Sequence, residues 1–139
     1  MRWEPKEASR GDMVRIKIGL FYHYGVFVSE DEVIQFGYPP IPKYKDMNPV
    51  VVGAVDIDTF ACEKFVEVAV LDRKERRERR SVEETVEFAR SKIGEGGYNL
   101  IHNNCEHFAY ECVFGVKRST QEEAARAFYN GFLKSGEAK

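Results

Sequence analysis

No apolar run in this sequence of 139 residues approaches the ~20 residues that span a bilayer. The start, Met1-Arg2-Trp3-Glu4-Pro5-Lys6-Glu7, lacks the apolar core of a signal peptide, so a cytoplasmic chain is expected. Cysteine is scarce as well. Three cysteines form no CxxC pair and cannot make a disulfide framework, and together with three histidines they show no zinc spacing. Neither sign of charge dominates: 21 basic and 23 acidic side chains leave a net charge of −2, which gives no global drive toward nucleic acid. There is no internal repeat and no low-complexity linker. Residues 1–139 are expected to form a single domain, long enough to bury a core without disulfides or a structural metal.

What is present is a β-rich first half. Met13 to Ile18 alternates as a strand after the Gly11-Asp12 turn, and Phe21 to Val28 is an aromatic and β-branched strand carrying His23. Ser29-Glu30-Asp31 turns the chain tightly into a third strand, Glu32 to Phe36, so an antiparallel hairpin is expected. With the turn centred on Glu30, Gln35 falls opposite Gly25, which makes its approach to His23 diagonal. Pro39-Pro40-Ile41-Pro42 then forces an extended connector. Val50 to Ile57 and Phe65 to Leu71 complete five expected strands.

The second half is helical. Asp72 to Arg80 holds six bases against three acids; such a run is ordinarily a solvated face, and its alternative is a patch for peripheral contact with an anionic membrane through Arg73 to Arg80. Ser81 and Glu84 make a capping box for a helix running to Ile93, which Gly94, Gly96 and Gly97 end. Tyr98-Asn99-Leu100-Ile101 follows, and Thr120-Gln121-Glu122-Glu123 opens a last amphipathic helix reaching Lys134. Strands followed by helices indicate an α+β fold, an antiparallel sheet packed with helices.

Asn103-Asn104-Cys105-Glu106-His107-Phe108 carries the chemistry. Asparagines suited to capping put Cys105 at the start of a helix that buries Phe108, Ala109, Cys112 and Val113 and ends near Gly115. There the unpaired N–H groups and the helix dipole favour a thiolate and could cradle an oxyanion. Cys112 is expected in the core. His107 lies two residues from Cys105 and faces elsewhere, so it is expected to order the local structure. His102 sits in the preceding loop. His23, an imidazole in a buried strand, is the preferred base.

These motifs resemble the lecithin:retinol acyltransferase-like family, which includes the H-Ras-like suppressor phospholipase/acyltransferases and is related to NlpC-type peptidases and, by circular permutation, to papain. The resemblance runs from Gly11-Asp12 through Tyr22-His23-Tyr24-Gly25-Val26-Phe27-Val28 to the Cys105 block. It implies a circularly permuted papain-like domain with Cys105 as nucleophile and His23 as base. The third catalytic position, twelve residues after His23 and commonly histidine in the family, is Gln35 here. A glutamine carbonyl can orient an imidazole but cannot titrate. The implied activity is acyl transfer or hydrolysis on a phospholipid or other acyl ester through a Cys105 thioester, with Tyr22 and Asn104 as oxyanion or substrate-binding residues and no metal or organic cofactor. The competing readings are an NlpC-type cysteine peptidase or amidase, and a non-catalytic lipid- or protein-binding domain.

Overall fold

The computed structural model describes residues 1–37, 50–97 and 104–116. The expected connector at Pro39 to Pro42, the segment Tyr98 to Ile101, His102, Asn103 and the helix from Thr120 to Lys134 lie outside the described residues. Among the described residues six strands form one antiparallel sheet: β1 (Arg2–Glu4), β2 (Asp12–Ile18), β3 (Phe21–Ser29), β4 (Glu32–Phe36), β5 (Val52–Val55) and β6 (Glu67–Val70), in the order β1-β6-β2-β3-β4-β5. The helices are α1 (Ile57–Ala61), α2 (Arg73–Glu78), α3 (Val82–Ser91) and α4 (Cys105–Phe114). The fold is α+β, as the sequence indicates.

Alternation along β3 assigns its side chains to two cores. Tyr24, Val26 and Val28 face α3 and α4 and pack with Val86, Ala89, Phe108 and Cys112. His23, Gly25 and Phe27 face the other way, where Phe27 packs with Val14, Ile16, Val33, Val68 and Phe60 of α1. With both faces covered, every residue from His23 to Val28 is buried, which explains why this strand reads as a run of bulky apolar groups.

Two turns hold the centre of the sheet. Gly19, at φ +60, lets β2 reverse into β3 through a two-residue turn and pair Ile18 with Phe21. Glu30 and Asp31 reverse β3 into β4, pairing Ser29 with Glu32, and a register shift between Phe27 and Ser29 then sets Gly25 opposite Gln35. The expected Gly25–Gln35 register is the one adopted.

The structure departs from expectation at four places. The strand expected from Val50 to Ile57 is confined to Val52–Val55, because the Asp56 carboxylate accepts the Thr59 N–H at 2.7 Å and starts α1 at Ile57. Trp3 and its neighbours form a sixth strand paired to β6. The charged run from Asp72 is a helix with its own capping box, Asp72 and Glu75 each bonding the other's backbone N–H. It is also less free than its composition suggests. The Arg79 guanidinium donates to the Gly11 carbonyl at 3.0 Å and to Thr85 at 3.2 Å, which ties α3 to the turn before β2, and Arg80 stacks on Phe88 of α3 at 4.2 Å. Fourth, α4 buries more than one face at its start: Cys105, Glu106, His107, Phe108 and Ala109 are all buried.

Candidate active site

Helix α4 lies across β3 and β4 and starts with a capping box. The Asn104 carboxamide oxygen accepts the His107 N–H at 3.0 Å, and His107 Nδ1 accepts the Asn104 N–H at 3.2 Å. His107 therefore orders the helix start, as its position two residues from Cys105 indicates. Asn104 was expected to bind an oxyanion or substrate; its side-chain oxygen is committed to the cap, and the residue is buried.

The box fixes where the thiol goes. Cys105 is 8 % exposed and its Sγ–H points to the Tyr22 carbonyl oxygen at 4.0 Å. The backbone N–H groups of Tyr24, Glu106 and Cys105 lie near the sulfur and favour its anion. Tyr22 and Tyr24 flank His23 in β3, so the sulfur rests against the strand segment that carries the imidazole. Three N–H donors stabilise a thiolate, yet burial outweighs them and, with the charge of Glu106, pushes the thiol pKa up to about 11. The helix start alone predicts a thiolate; the folded protein holds a thiol.

His23 is buried on the opposite face of β3, with Nε2 at 2.7 Å from the Gln35 carboxamide oxygen. That oxygen accepts only, so Nε2 carries the proton and Nδ1 keeps the lone pair. Desolvation lowers the His23 pKa, and the Gln35 hydrogen bond opposes it. A neutral imidazole results. Gly25, on the same face as His23, makes room for α1: a Cβ there would stand 2.8 Å from Phe60 and 3.1 Å from Val33. The missing side chain leaves room for Phe60 to lie 5.3 Å, centroid to centroid, from the imidazole. His23 and Gln35 are thus joined directly. The His23 and Cys105 side chains do not hydrogen bond to each other in this state.

Tyr22 is half-buried, and its link to the thiol is through its backbone carbonyl. Its ring lies under the Arg15 guanidinium at 3.8 Å, with Trp3 on the same cation at 4.2 Å. Arg15 also bonds Glu67 at 3.0 Å, and Arg15 and Glu106 both act on the Tyr24 hydroxyl. Burial and the Glu106 charge push the Tyr24 hydroxyl pKa upward, so it stays protonated. This Arg15–Tyr24–Glu106 chain braces the strand and helix that meet at the sulfur, and reading the sequence did not find it. The available signals were an acid one residue after the candidate nucleophile and an arginine inside an otherwise apolar strand. Among the described residues no cluster of three or more His, Cys, Asp or Glu is placed to hold a metal ion.

A buried thiol at a capped helix start, packed on a strand whose histidine is oriented by a polar side chain of the next strand, agrees with the family that the motifs suggest. The family model for lecithin retinol acyltransferase matches residues 6–118. The chain belongs to the lecithin retinol acyltransferase family. It is similar to the lecithin retinol acyltransferase of Mus musculus, at 28 % identity over 134 residues, covering 82 % of this chain and 58 % of the relative. The Rattus norvegicus and Bos taurus enzymes of the same name are 27 % and 25 % identical, with the same coverage. The chain therefore spans just over half the length of these curated relatives. Among the described residues no helix is long and apolar enough to cross a membrane.

Proposed function

We propose that this chain catalyses acyl transfer or hydrolysis on lipid esters through a thioester on Cys105, in a single domain with a circularly permuted papain-like arrangement. The supporting observation is the Cys105 sulfur at the capped start of α4, against the Tyr22 carbonyl of the strand segment bearing a His23 that bonds Gln35. The curated relatives are named for lecithin and retinol, and a lecithin-type acyl ester is the donor proposed here.

The resting pair is neutral. Reaction requires His23, whose side chain rests on the face of β3 away from the sulfur, to be brought to Cys105, where the S–H proton passes to Nδ1, leaving thiolate and imidazolium. The thiolate attacks the ester carbonyl carbon, and the N–H groups at the start of α4 hold the developing oxyanion. The imidazolium then protonates the departing alcohol, and the acyl group remains on sulfur. Water or an acceptor alcohol or amine, deprotonated by His23, releases it. Gln35 serves throughout by accepting the Nε2 proton's hydrogen bond, which fixes Nδ1 as the basic nitrogen. Because Gln35 does not titrate, one imidazole governs the acid limb of the pH profile.

Turnover of a short-chain phosphatidylcholine and of a matched amide tests the proposal. Ester cleavage that vanishes in both Cys105→Ala and His23→Ala is the expected result. Cleavage of the amide without the ester would assign a peptidase or amidase, and ester turnover surviving in Cys105→Ala would remove the thioester.

A further inference from the structure

Three of the most exposed large apolar side chains gather at one end of the sheet. Leu20 is 92 % exposed at the β2–β3 turn, Phe21 beside it is 57 % exposed, and Phe65, just before β6, is 88 % exposed. Pairing of Arg15 with Glu67 and of Ile18 with Phe21 places the end of β2, the start of β3 and the start of β6 at this same rim. Single exposed apolar residues are ordinary; three on one rim indicate a contact surface.

Backbone geometry presents them outward. Cys62 and Glu63 are consecutive non-glycine residues at φ 49 and φ 63, in a turn closed by the Lys64 N–H to the Ala61 carbonyl at 2.8 Å. Such conformations cost free energy and persist where the fold enforces them. Here the turn leads directly into Phe65. A cavity of about 620 Å³ opens below, lined by Pro5, Lys17, Tyr22, Phe65 and their neighbours.

The surrounding charges identify the partner. Lys6, Lys17 and Lys64 are exposed and interspersed with the exposed Glu7 and Glu63, while Glu67 is paired to Arg15. Alternating signs around an apolar lip match a headgroup that carries a phosphate and an ammonium together, and do not select a purely anionic surface. We propose that the rim of Leu20, Phe21 and Phe65, ringed by Lys6, Lys17 and Lys64, docks on a bilayer of zwitterionic phospholipid. The choice of a lipid partner rests on the lipid-ester reading of the site. Docking there sets the active strand at the interface: Phe21 shares a face of β3 with His23, two residues and about 7 Å away, and Tyr22 between them touches the Cys105 thiol through its carbonyl.

Co-sedimentation with phosphatidylcholine vesicles tests the surface independently of catalysis. The comparison is between wild type, the double variant Leu20→Ser with Phe65→Ser, and Val82→Ser, an exposed apolar site elsewhere. Turnover of a monomeric short-chain ester is read in parallel. Wild type and Val82→Ser should bind, with little effect of salt. The double variant should lose roughly tenfold in affinity for each side chain, on the order of a hundredfold together, while its turnover of monomeric ester is unchanged. Wild type that does not bind, or a double variant that binds as wild type does, overturns the proposal. So does binding that needs anionic lipid and is abolished by salt. If the double variant loses binding while wild type turns over no ester, the docking surface stands and the lipid-ester enzyme falls.

Discussion

Replacing Gln35 with leucine keeps the volume near His23 and removes the acceptor of a 2.7 Å hydrogen bond between two buried side chains. The His23 Nε2–H is then left unpaired in an apolar setting beside Phe60, at a cost of about 1–3 kcal/mol. Chemical denaturation should show a stability loss of that size. The imidazole also loses the contact that fixes its tautomer, so that part of the population presents Nδ1–H, which cannot accept the thiol proton. If the whole penalty is felt in the acylation step, the rate falls by roughly 5- to 150-fold, with little change in substrate affinity. Pre-steady-state acylation by a chromogenic short-chain ester reads this directly. Gln35→His supplies the second arm. The introduced histidine, when neutral, accepts from Nε2–H and supports near wild-type acylation; as pH falls below about 6.5 it protonates, becomes a donor only and loses that function. An acylation rate within twofold of wild type in Gln35→Leu would refute the orienting role.

Gly25→Ala places a Cβ 2.8 Å from Phe60 and 3.1 Å from Val33; a loss of about 1–3 kcal/mol is expected in denaturant titration, and wild-type stability would show that Phe60 moves freely. For the thiol, a Cys62→Ser background removes the exposed cysteine, and alkylation of Cys105 should then rise about tenfold per pH unit from pH 6 to 9, because a pKa of about 11 leaves the thiolate a small fraction throughout. A plateau already reached below pH 7 would mean a resting thiolate–imidazolium pair. Asn104→Ala removes the cap and should cost about 1 kcal/mol of stability, largely restored by Asn104→Asp; a large fall in turnover with stability unchanged would assign Asn104 to substrate instead of the cap.

Much of the central sheet was legible in the sequence, because short turns separate β2, β3 and β4; the β3–β4 register was not legible from its turn alone, since a shift between Phe27 and Ser29 sets the Gly25–Gln35 pairing. That register is what carries Gln35 to His23. The role of His107 was legible, since helical spacing alone separates it from the thiol. The protonation state of Cys105 was not. A helix start argues for a thiolate, and only the packing of α4 against β3, which buries the sulfur and sets Glu106 beside it, reverses the balance. The Asp56 cap was masked by the β-branched run before it, and the Asp72 cap by the charge density of the segment it opens. Arg79 and Arg80 read as surface charge because their partners, the Gly11 carbonyl and the Phe88 ring, come from tertiary packing and local helix geometry.

Intact-protein mass after brief exposure to a short-chain phosphatidylcholine tests the central claim most directly, with product release read in the same samples. The account predicts an acyl-sized, hydroxylamine-labile increment on wild type that is absent from Cys105→Ala, or, where deacylation outruns it, product formed by wild type alone. Wild type that yields neither adduct nor product, or Cys105→Ala that yields product at the wild-type rate, would contradict it.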